Sequence, residues 1–437
     1  MLSAGFARRD ITPKEPCFLV GYPHVSRTST GVHDPLFASV LCLKKGETTL
    51  VMVSLDLLFV SAEWTKECRG KITRETGIPS ENILLGATHT HSGPHTTEIL
   101  AWKDDPVVPP VDSAYLDFLC IETTAAVVEA WRKREPAEAA WTSTDVSGLA
   151  GGNRIASDGP EDPEAGLLVI RRLADQSPLA VISVYGMHPT VLHEDSTLIS
   201  GDFIAFTRQE IEEAFPSAGM VYLNGLCGNQ SPRRAVNAQT FTEAERLGRR
   251  LGKRMLEALR AVDGYTADLP LVAKTATLRL QGKSFPSVPV AEANLAAARE
   301  RYADLLAEGA PHTKVRTAEC TVFGAEEVLT LATAELTGEA QAARKRYRNA
   351  EIQLFRIGSR YLVGWPGEFF VEYGLEIKRR SGMPTFISTM SNGELHGYIV
   401  TPEAEKSNGY EAQMSLFPAA NGERFVRKTL ELIETLA

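Results

Sequence analysis

The sequence predicts an α/β fold, a mixed β-sheet core flanked by helices, within one large domain spanning all 437 residues. Short β-branched, apolar runs alternate with amphipathic segments along the whole chain, which is the pattern of α/β proteins. The composition, with 43% hydrophobic and 23% charged residues, is that of a globular protein with a buried core. Motif-bearing segments occur near residues 20 and 410 alike, so we expect both ends to build one domain.

Eight segments have the apolar, β-branched character of strands: Phe37–Leu43, Thr49–Leu58, Asn82–Ala87, Leu167–Arg172, Ala180–Tyr185, Met220–Leu223, Val272–Leu280 and Ile352–Val363. Eight others have helical character: Ala62–Thr76, Ala114–Lys133, Phe203–Phe215, Glu243–Val262, Val290–Glu308, Leu331–Tyr347, Phe370–Arg380 and Glu423–Leu436. The segment at about 286–348 is rich in Ala, Glu and Arg and carries none of the motifs below. We interpret it as a helical insertion or lid.

Composition also excludes several classes of protein. The net charge of −9 includes no basic run of the kind that a nucleic-acid partner requires. The longest apolar run, residues 48–60, contains Asp56 and is shorter than the ~20 residues of a membrane span, so no transmembrane segment is predicted. Six scattered cysteines argue against a disulfide framework, and the first residues lack a signal-peptide core, so we expect a cytoplasmic protein. Nothing in the sequence decides between a monomer and a homo-oligomer.

The strongest motif is Gly86-Ala-Thr-His89-Thr-His91-Ser-Gly-Pro94, directly after a predicted strand. Side chains at i and i+2 of a strand share one face, and the following Ser-Gly-Pro opens a loop. Two neutral imidazoles placed in this way suit a zinc ion. A pair of hydrogen-bonded loop histidines would produce the same pattern.

Two further predicted strands end in polar residues. His188 follows one strand and precedes a proline that keeps it extended, although a lone histidine is more often structural. Ser231 follows another strand, at the tip of a glycine-rich turn. Ser231 could act in catalysis, either as a nucleophile or as a hydrogen-bond partner of a metal-bound water. It could instead only close a turn before a proline.

The C-terminal part of the chain supplies a carboxylate and two tyrosines. Glu368 follows a long predicted strand and lies at the start of a predicted helix. The helix dipole favours a carboxylate at this position, so its presence needs no catalytic reason. The same carboxylate could equally complete a zinc site with two histidines. Tyr398 and Tyr410 lie in glycine-containing loops and alone indicate little.

Taken together and in order, these segments resemble the catalytic domain of the neutral/alkaline, non-lysosomal ceramidases. The resemblance also includes Gly5–Pro13, Gly21-Tyr22, Gly31–Leu36, Gly152-Asn153-Arg154 and Pro366–Phe369. It implies a zinc ion held by His89, His188, Glu368 and Tyr398, with Ser231 as the active-site serine. It further implies that His91, Arg154, Tyr410 and the Gly21 backbone contact the substrate, and that His91 takes part in catalysis.

The chain departs from the family pattern in three respects. One is the lack of a signal-peptide core, whereas the ceramidases that it resembles are secreted or membrane-associated. The serine loop has Gly-Asn-Gln-Ser-Pro-Arg where ceramidases typically have Gly-Asp-Val-Ser-Pro-Asn, and the family's immunoglobulin-like module has no counterpart in these 437 residues. We therefore expect a metal-dependent amidohydrolase in which zinc-activated water or Ser231 attacks a linear amide. The substrate is a lipid amide, as in ceramidases, or a small polar amide, lactam or ester. A non-catalytic binding protein on the same fold is the alternative of another class.

Overall fold

The computed structural model describes residues 1–22 and 24–436, and within these all side chains except those of residues 312 and 313. With 38% helix and 25% strand, and a large mixed sheet flanked by helices, it confirms the predicted fold class. Within the described residues, no helix combines the length and the apolar character needed to cross a bilayer.

The elements alternate along the chain. The strands are β1 (Ser3–Asp10), β2 (Gly31–Val32), β3 (Phe37–Lys45), β4 (Thr48–Leu55), β5 (Ile83–Ala87), β6 (Glu135–Asp145), β7 (Gly152–Asn153), β8 (Glu164–Arg172), β9 (Pro178–Tyr185), β10 (Leu198–Ile199), β11 (Gly219–Asn224), β12 (Gln230–Ser231), β13 (Leu271–Arg279), β14 (Asn349–Ile357), β15 (Arg360–Gly364), β16 (Glu368–Phe369), β17 (Thr385–Ser388) and β18 (Tyr398–Ile399). The helices are α1 (Ala62–Thr76), α2 (Ser113–Arg132), α3 (Phe203–Ala214), α4 (Phe241–Ala261), α5 (Val288–Ala307), α6 (His312–Thr337), α7 (Glu339–Arg346), α8 (Val371–Arg380), α9 (Pro402–Ser407), α10 (Tyr410–Gln413) and α11 (Ala420–Glu434).

The large sheet has eight strands in the order β11-β9-β8-β6-β1-β3-β4-β5. Only the pairs β4/β5 and β9/β11 are parallel. Although β4 and β11 lie near opposite ends of this order, the Ser54 hydroxyl of β4 donates to the Tyr222 carbonyl of β11 at 2.6 Å. The sheet is therefore strongly curled, and the loops that follow β5, β9 and β11 meet.

Helices cover the outside of the curled sheet, and a second sheet fills its inside. Helices α1 and α2 pack on the part containing β1, β3, β4 and β5, whereas α3 and α4 pack on β8, β9 and β11. The inner face meets the sheet β13-β14-β15-β17 through a shared core that includes Leu84, Leu168, Phe355 and Leu362. Helices α8 and α11 cover the far side of this second sheet.

Every predicted strand and helix corresponds to an observed element, with three differences. The predicted strand Ile352–Val363 is two strands, β14 and β15, joined by a turn at Gly358. The predicted helix Leu331–Tyr347 is the end of α6 followed by α7, because Gly338 adopts φ 81° between them. Several elements were not predicted: β1, β6, β17, the two-residue strands β2, β7, β10, β12, β16 and β18, the short helices α9 and α10, and α6 before residue 331.

Candidate active site

His89 and His91 lie just beyond the end of β5. His89 has φ 73°, a left-handed conformation that is uncommon for residues other than glycine. Its Nδ1 lies 3.1 Å from the carbonyl oxygen of Leu58, and the Nδ1 of His91 lies 3.1 Å from that of Gly21. Because a carbonyl only accepts hydrogen bonds, each Nδ1 carries the proton and each Nε2 has a free lone pair.

His188, beyond the end of β9, is fixed in the same way. Its Nδ1 lies 2.6 Å from the carbonyl oxygen of Cys227 and 3.1 Å from that of Gln230, both in the loop after β11. Its Nε2 therefore also carries a lone pair. The His89 and His188 rings are 4.8 Å apart, and both side chains are buried.

Glu368 brings a carboxylate to these two histidines. Its Oε2 lies 3.0 Å from the Nε2 of His188 and 3.2 Å from the Nε2 of His89. Strand β16, which carries Glu368, pairs with β18 so that Glu368 is directly opposite Tyr398. The Tyr398 ring centroid lies 6.3 Å from that of His188. The four residues that the resemblance implies as ligands are thus brought together.

Burial and the neighbouring charges set the protonation of the cluster. Burial, together with the charge of Arg154, lowers the pKa of His188 to about 4. Burial and the adjacent imidazoles hold the pKa of His91 well below its usual value.

These groups fit a metal ion. Imidazole nitrogen and carboxylate oxygen are the donors that zinc takes at catalytic sites. An Nδ1–H held by a backbone carbonyl is the outer-shell contact that usually orients a metal-ligating histidine. The Nε2 atoms of His89 and His91 are buried without a hydrogen-bond partner among the described residues. Cys227, which we did not predict, places its sulfur within 4.8 Å of ring nitrogens of His89 and His188.

Ser231 lies in a loop tied to the cluster through the backbone. Strand β12 pairs with β7, so that Ser231 is opposite Gly152. The Arg154 amide donates to the Asn229 carbonyl at 2.8 Å, which joins the two predicted motifs. The Ser231 hydroxyl is buried and accepts the amide N–H of Arg233 at 3.3 Å.

Arg154 and Tyr410 form the next layer around the site. The Arg154 guanidinium lies 5.3 Å from the centroid of the Tyr398 ring and forms an ion pair of 3.0 Å with Glu411. Burial raises the pKa of Tyr410 well above its usual value, and the charge of Glu327 raises it further. The role of Glu411 as partner of Arg154 was not predicted, although it directly follows Tyr410.

Gly21 is required by the shape of the site. It has φ 123°, and a Cβ atom there would lie 2.4 Å from the Nδ1 of His91. The same loop is anchored by Arg27, which is fully buried and donates to the carbonyl oxygen of His91 at 2.9 Å. No sequence motif pointed to Arg27.

Helix α6 lies across the loops that carry the site. Arg316 forms an ion pair of 3.0 Å with Glu194, in the loop after His188. Gly324 passes so close to Tyr410 that a Cβ atom would lie 3.3 Å from its ring. Phe323 stacks on His24, and Glu327 accepts the indole N–H of Trp102. These contacting residues of α6 recur at helical spacing, so they lie along one face of the helix.

Known proteins share the fold of this chain. Two solved structures have similar folds: "Ceramidase complexed with C2", with a TM-score of 0.78 and 16% identity over 100% of this chain and 75% of that one, and a neutral ceramidase from Pseudomonas aeruginosa, with a TM-score of 0.77 and 18% identity over 99% and 75%. At such identities the similarity shows the fold.

The sequence itself establishes the family. A profile described as "Neutral/alkaline non-lysosomal ceramidase, N-terminal" matches residues 2–225, just over half of the chain. The matched segment contains His89, His91, Arg154 and His188, whereas Ser231, Glu368 and Tyr398 lie beyond it. Family and fold together support a ceramidase-like hydrolase. The protein belongs to the neutral/alkaline non-lysosomal ceramidase family.

Proposed function

We propose that the protein is a zinc-dependent hydrolase of amide C–N bonds. One observation carries the proposal: the Nε2 lone pairs of His89 and His188 converge on the Glu368 carboxylate at 3.2 and 3.0 Å. All three groups are hydrogen-bond acceptors, because both Nδ1 protons are already directed at carbonyl oxygens. Buried acceptors that face one another at such distances repel unless a cation lies between them.

His89, His188 and Glu368 would hold the zinc ion, with Tyr398 as the fourth ligand. We favour Glu368 over Cys227 because the carboxylate lies within hydrogen-bond distance of both imidazoles. When bound, zinc polarises a carbonyl group and makes a water molecule more acidic.

The remaining residues of the site supply proton transfer and orientation. The unpartnered Nε2 of His91 accepts the proton of the attacking hydroxyl, which belongs to water or to Ser231. The new C–O bond forms, the C–N bond breaks, and the proton passes to the leaving nitrogen. On the serine route, water then hydrolyses the acyl ester and restores Ser231. Arg154 donates hydrogen bonds to the oxygen on which negative charge develops.

A compact polar amide fits the site better than a long-chain ceramide. His89, His188, Ser231, Glu368 and Tyr398 are all buried, and α6 crosses the loops around them. The large exposed apolar residues among those described are few, and only Ile155 adjoins a proposed site residue in sequence: Met1, Val32, Ile121, Ile155, Leu173, Val290, Leu306 and Leu336. A lipid amidase needs an apolar groove for its acyl chain.

Metal analysis tests this function. We expect about one zinc per chain in the wild type and little in His89→Ala, His188→Ala or Glu368→Ala. His95→Gln is the matched control, because His95 lies in the same loop but directs both ring nitrogens at carbonyl oxygens. Full zinc occupancy in all three site variants would overturn the proposed metal ligands. A protein that contains zinc but turns over no N-acyl substrate would overturn the proposed amidase activity.

A further inference from the structure

A cavity of about 490 Å³ opens beside the serine loop. One wall is Arg233, which follows Ser231 by two residues. The other walls come from the paired helices α5 and α6, and the lining residues they supply are Arg301, Leu305, Lys314, Thr317, Ala318 and Thr321. Arg233, Arg301 and Lys314 are exposed, so the cavity is accessible to solutes.

The cavity carries uncompensated positive charge. Three of its lining residues are cations and none is a carboxylate. Within the described part of the chain, no carboxylate lies at ion-pair distance from Arg233, Arg301 or Lys314. Other arginines on the same two helices are paired: Arg299 with Glu326 at 2.8 Å and Arg316 with Glu194 at 3.0 Å.

This concentration of positive charge is unusual in a chain whose net charge is −9. Cations that line one concavity repel one another, and together they attract anions. Arginine binds carboxylate and phosphate through a planar fork of N–H donors, and lysine adds a compact charge. Leu305 and Ala318 supply apolar contacts for a carbon skeleton.

We propose that this cavity binds an oxyanion, carboxylate or phosphate, carried by the substrate. Arg233 connects the cavity with the site, since Arg233 lines the cavity and its backbone amide donates to the Ser231 hydroxyl at 3.3 Å. The cavity would therefore select acylated amines that bear a negative charge. The effect on turnover rests on the proposed amidase function, whereas binding of the anion does not.

Calorimetric titration with inorganic phosphate, at constant ionic strength, tests the binding step. We expect phosphate to bind the wild type at least ~10-fold more tightly than a variant carrying both Arg301→Gln and Lys314→Gln. Arg299→Gln is the control, because it removes a paired arginine of the same helix that does not line the cavity. If phosphate binds at the metal site instead of the cavity, the wild type, the double variant and Arg299→Gln will all bind it with equal affinity. Equal binding to all three, or none to the wild type, overturns the proposal.

Matched substrates test the consequence for turnover. In the first pair, an N-acetyl amino acid is compared with its uncharged carboxamide. In the second pair, N-acetyl phosphoethanolamine is compared with N-acetylethanolamine. The first pair tests a preference for carboxylate and the second a preference for phosphate. We expect kcat/KM of the wild type to favour at least one anionic member by ~10-fold or more, and the double variant to lose this preference while keeping its rate on the neutral member. Equal rates on charged and neutral members overturn the inference and leave the amidase intact. No turnover of any of the four counts against the amidase, and the phosphate titration then decides the cavity.

Discussion

At the scale of single residues, the site depends on which nitrogen of each histidine is bonded to the backbone. The sequence predicted that His89, His91 and His188 follow strands. It did not predict that the carbonyls of Leu58, Gly21 and Cys227 would fix their tautomers. These contacts join segments far apart in the chain, so no local pattern contains them. The Glu368–Tyr398 pair likewise depends on a two-residue ladder that no propensity indicates.

Replacing Ser231 with alanine separates catalysis from zinc binding. The hydroxyl is buried, and among the described residues its hydrogen bond is to the Arg233 amide and not to a candidate ligand, so zinc content and fold should be retained. We expect kcat to fall by at least ~10²-fold, the loss typical of a major catalytic group. Steady-state kinetics with parallel zinc analysis provides the measurement. Near-normal turnover would leave Ser231 as a residue that only closes a turn.

Gly21→Ala should damage the site by displacing His91. The new Cβ would lie 2.4 Å from the His91 Nδ1, so the ring has to move away from the Gly21 carbonyl. We expect kcat/KM to fall by ~10²-fold or more, because small misplacements of a catalytic group have effects of that size. Gly46→Ala is the control, since Gly46 also has positive φ but has open space around it. Equal activity of both variants would show that the position of His91 is unimportant.

At the scale of elements, periodicity located the buried strands and helices well. It failed for β1, whose residues include Gly5 and the pair Arg8-Arg9, and for β6, which is rich in alanine and glutamate. Both are strands because of their neighbours. Strand β1 pairs with β3 along its whole length, and β6 pairs with β8 from Ala137 to Asp145. Such partners are distant in sequence, so tertiary pairing overrides local propensity.

The contact between α6 and the rest of the protein should make stability depend on pH through Glu327. Burial raises the pKa of this carboxyl to about 8, with Asp105 and Glu326 adding to the effect. In the unfolded chain it ionises near pH ~4.3. Between these values the folded state keeps a proton that the unfolded state releases, so stability falls as pH rises, by up to about 1.4 kcal/mol per pH unit.

Glu327→Gln removes this titration and retains an oxygen that accepts the Trp102 indole N–H. We expect the stability of the variant relative to the wild type to increase steadily from about pH 5 to about pH 8. Urea unfolding at several pH values measures this difference. Glu300→Gln, which removes an exposed carboxylate of α5, is the control. If the free energies of unfolding of the wild type and of Glu327→Gln differ by the same amount at every pH, Glu327 is not a buried, protonated carboxyl.

At the scale of the whole molecule, the site is a product of curvature. The strands before His89 and His188 are far apart in the order of the large sheet, and they meet because the sheet curls until β4 contacts β11. Glu368 and Tyr398 arrive from segments that follow strands of the second sheet. The sequence predicted the strands and the motifs at their ends, but the curl follows from packing between the sheets.

An enclosed, polar site should limit the length of the acyl chain. We expect kcat/KM to stay level or fall as the acyl group of a fixed amine lengthens beyond a few carbons. A lipid amidase would instead gain up to ~0.8 kcal/mol for each buried CH₂ group. Kinetics across a series of acyl lengths decides this. A rise that continues past about ten carbons would restore long-chain ceramide as the substrate.

The dispersal of the proposed ligands along the chain has a consequence for biosynthesis. His89 emerges early from the ribosome, whereas Glu368 and Tyr398 emerge only after most of the 437 residues have been made. A nascent chain of 225 residues carries two of the four ligands and lacks the second sheet entirely. If these four residues hold the proposed zinc ion, the complete set of ligands exists only late in synthesis, and a chain truncated before residue 398 would lack one of them.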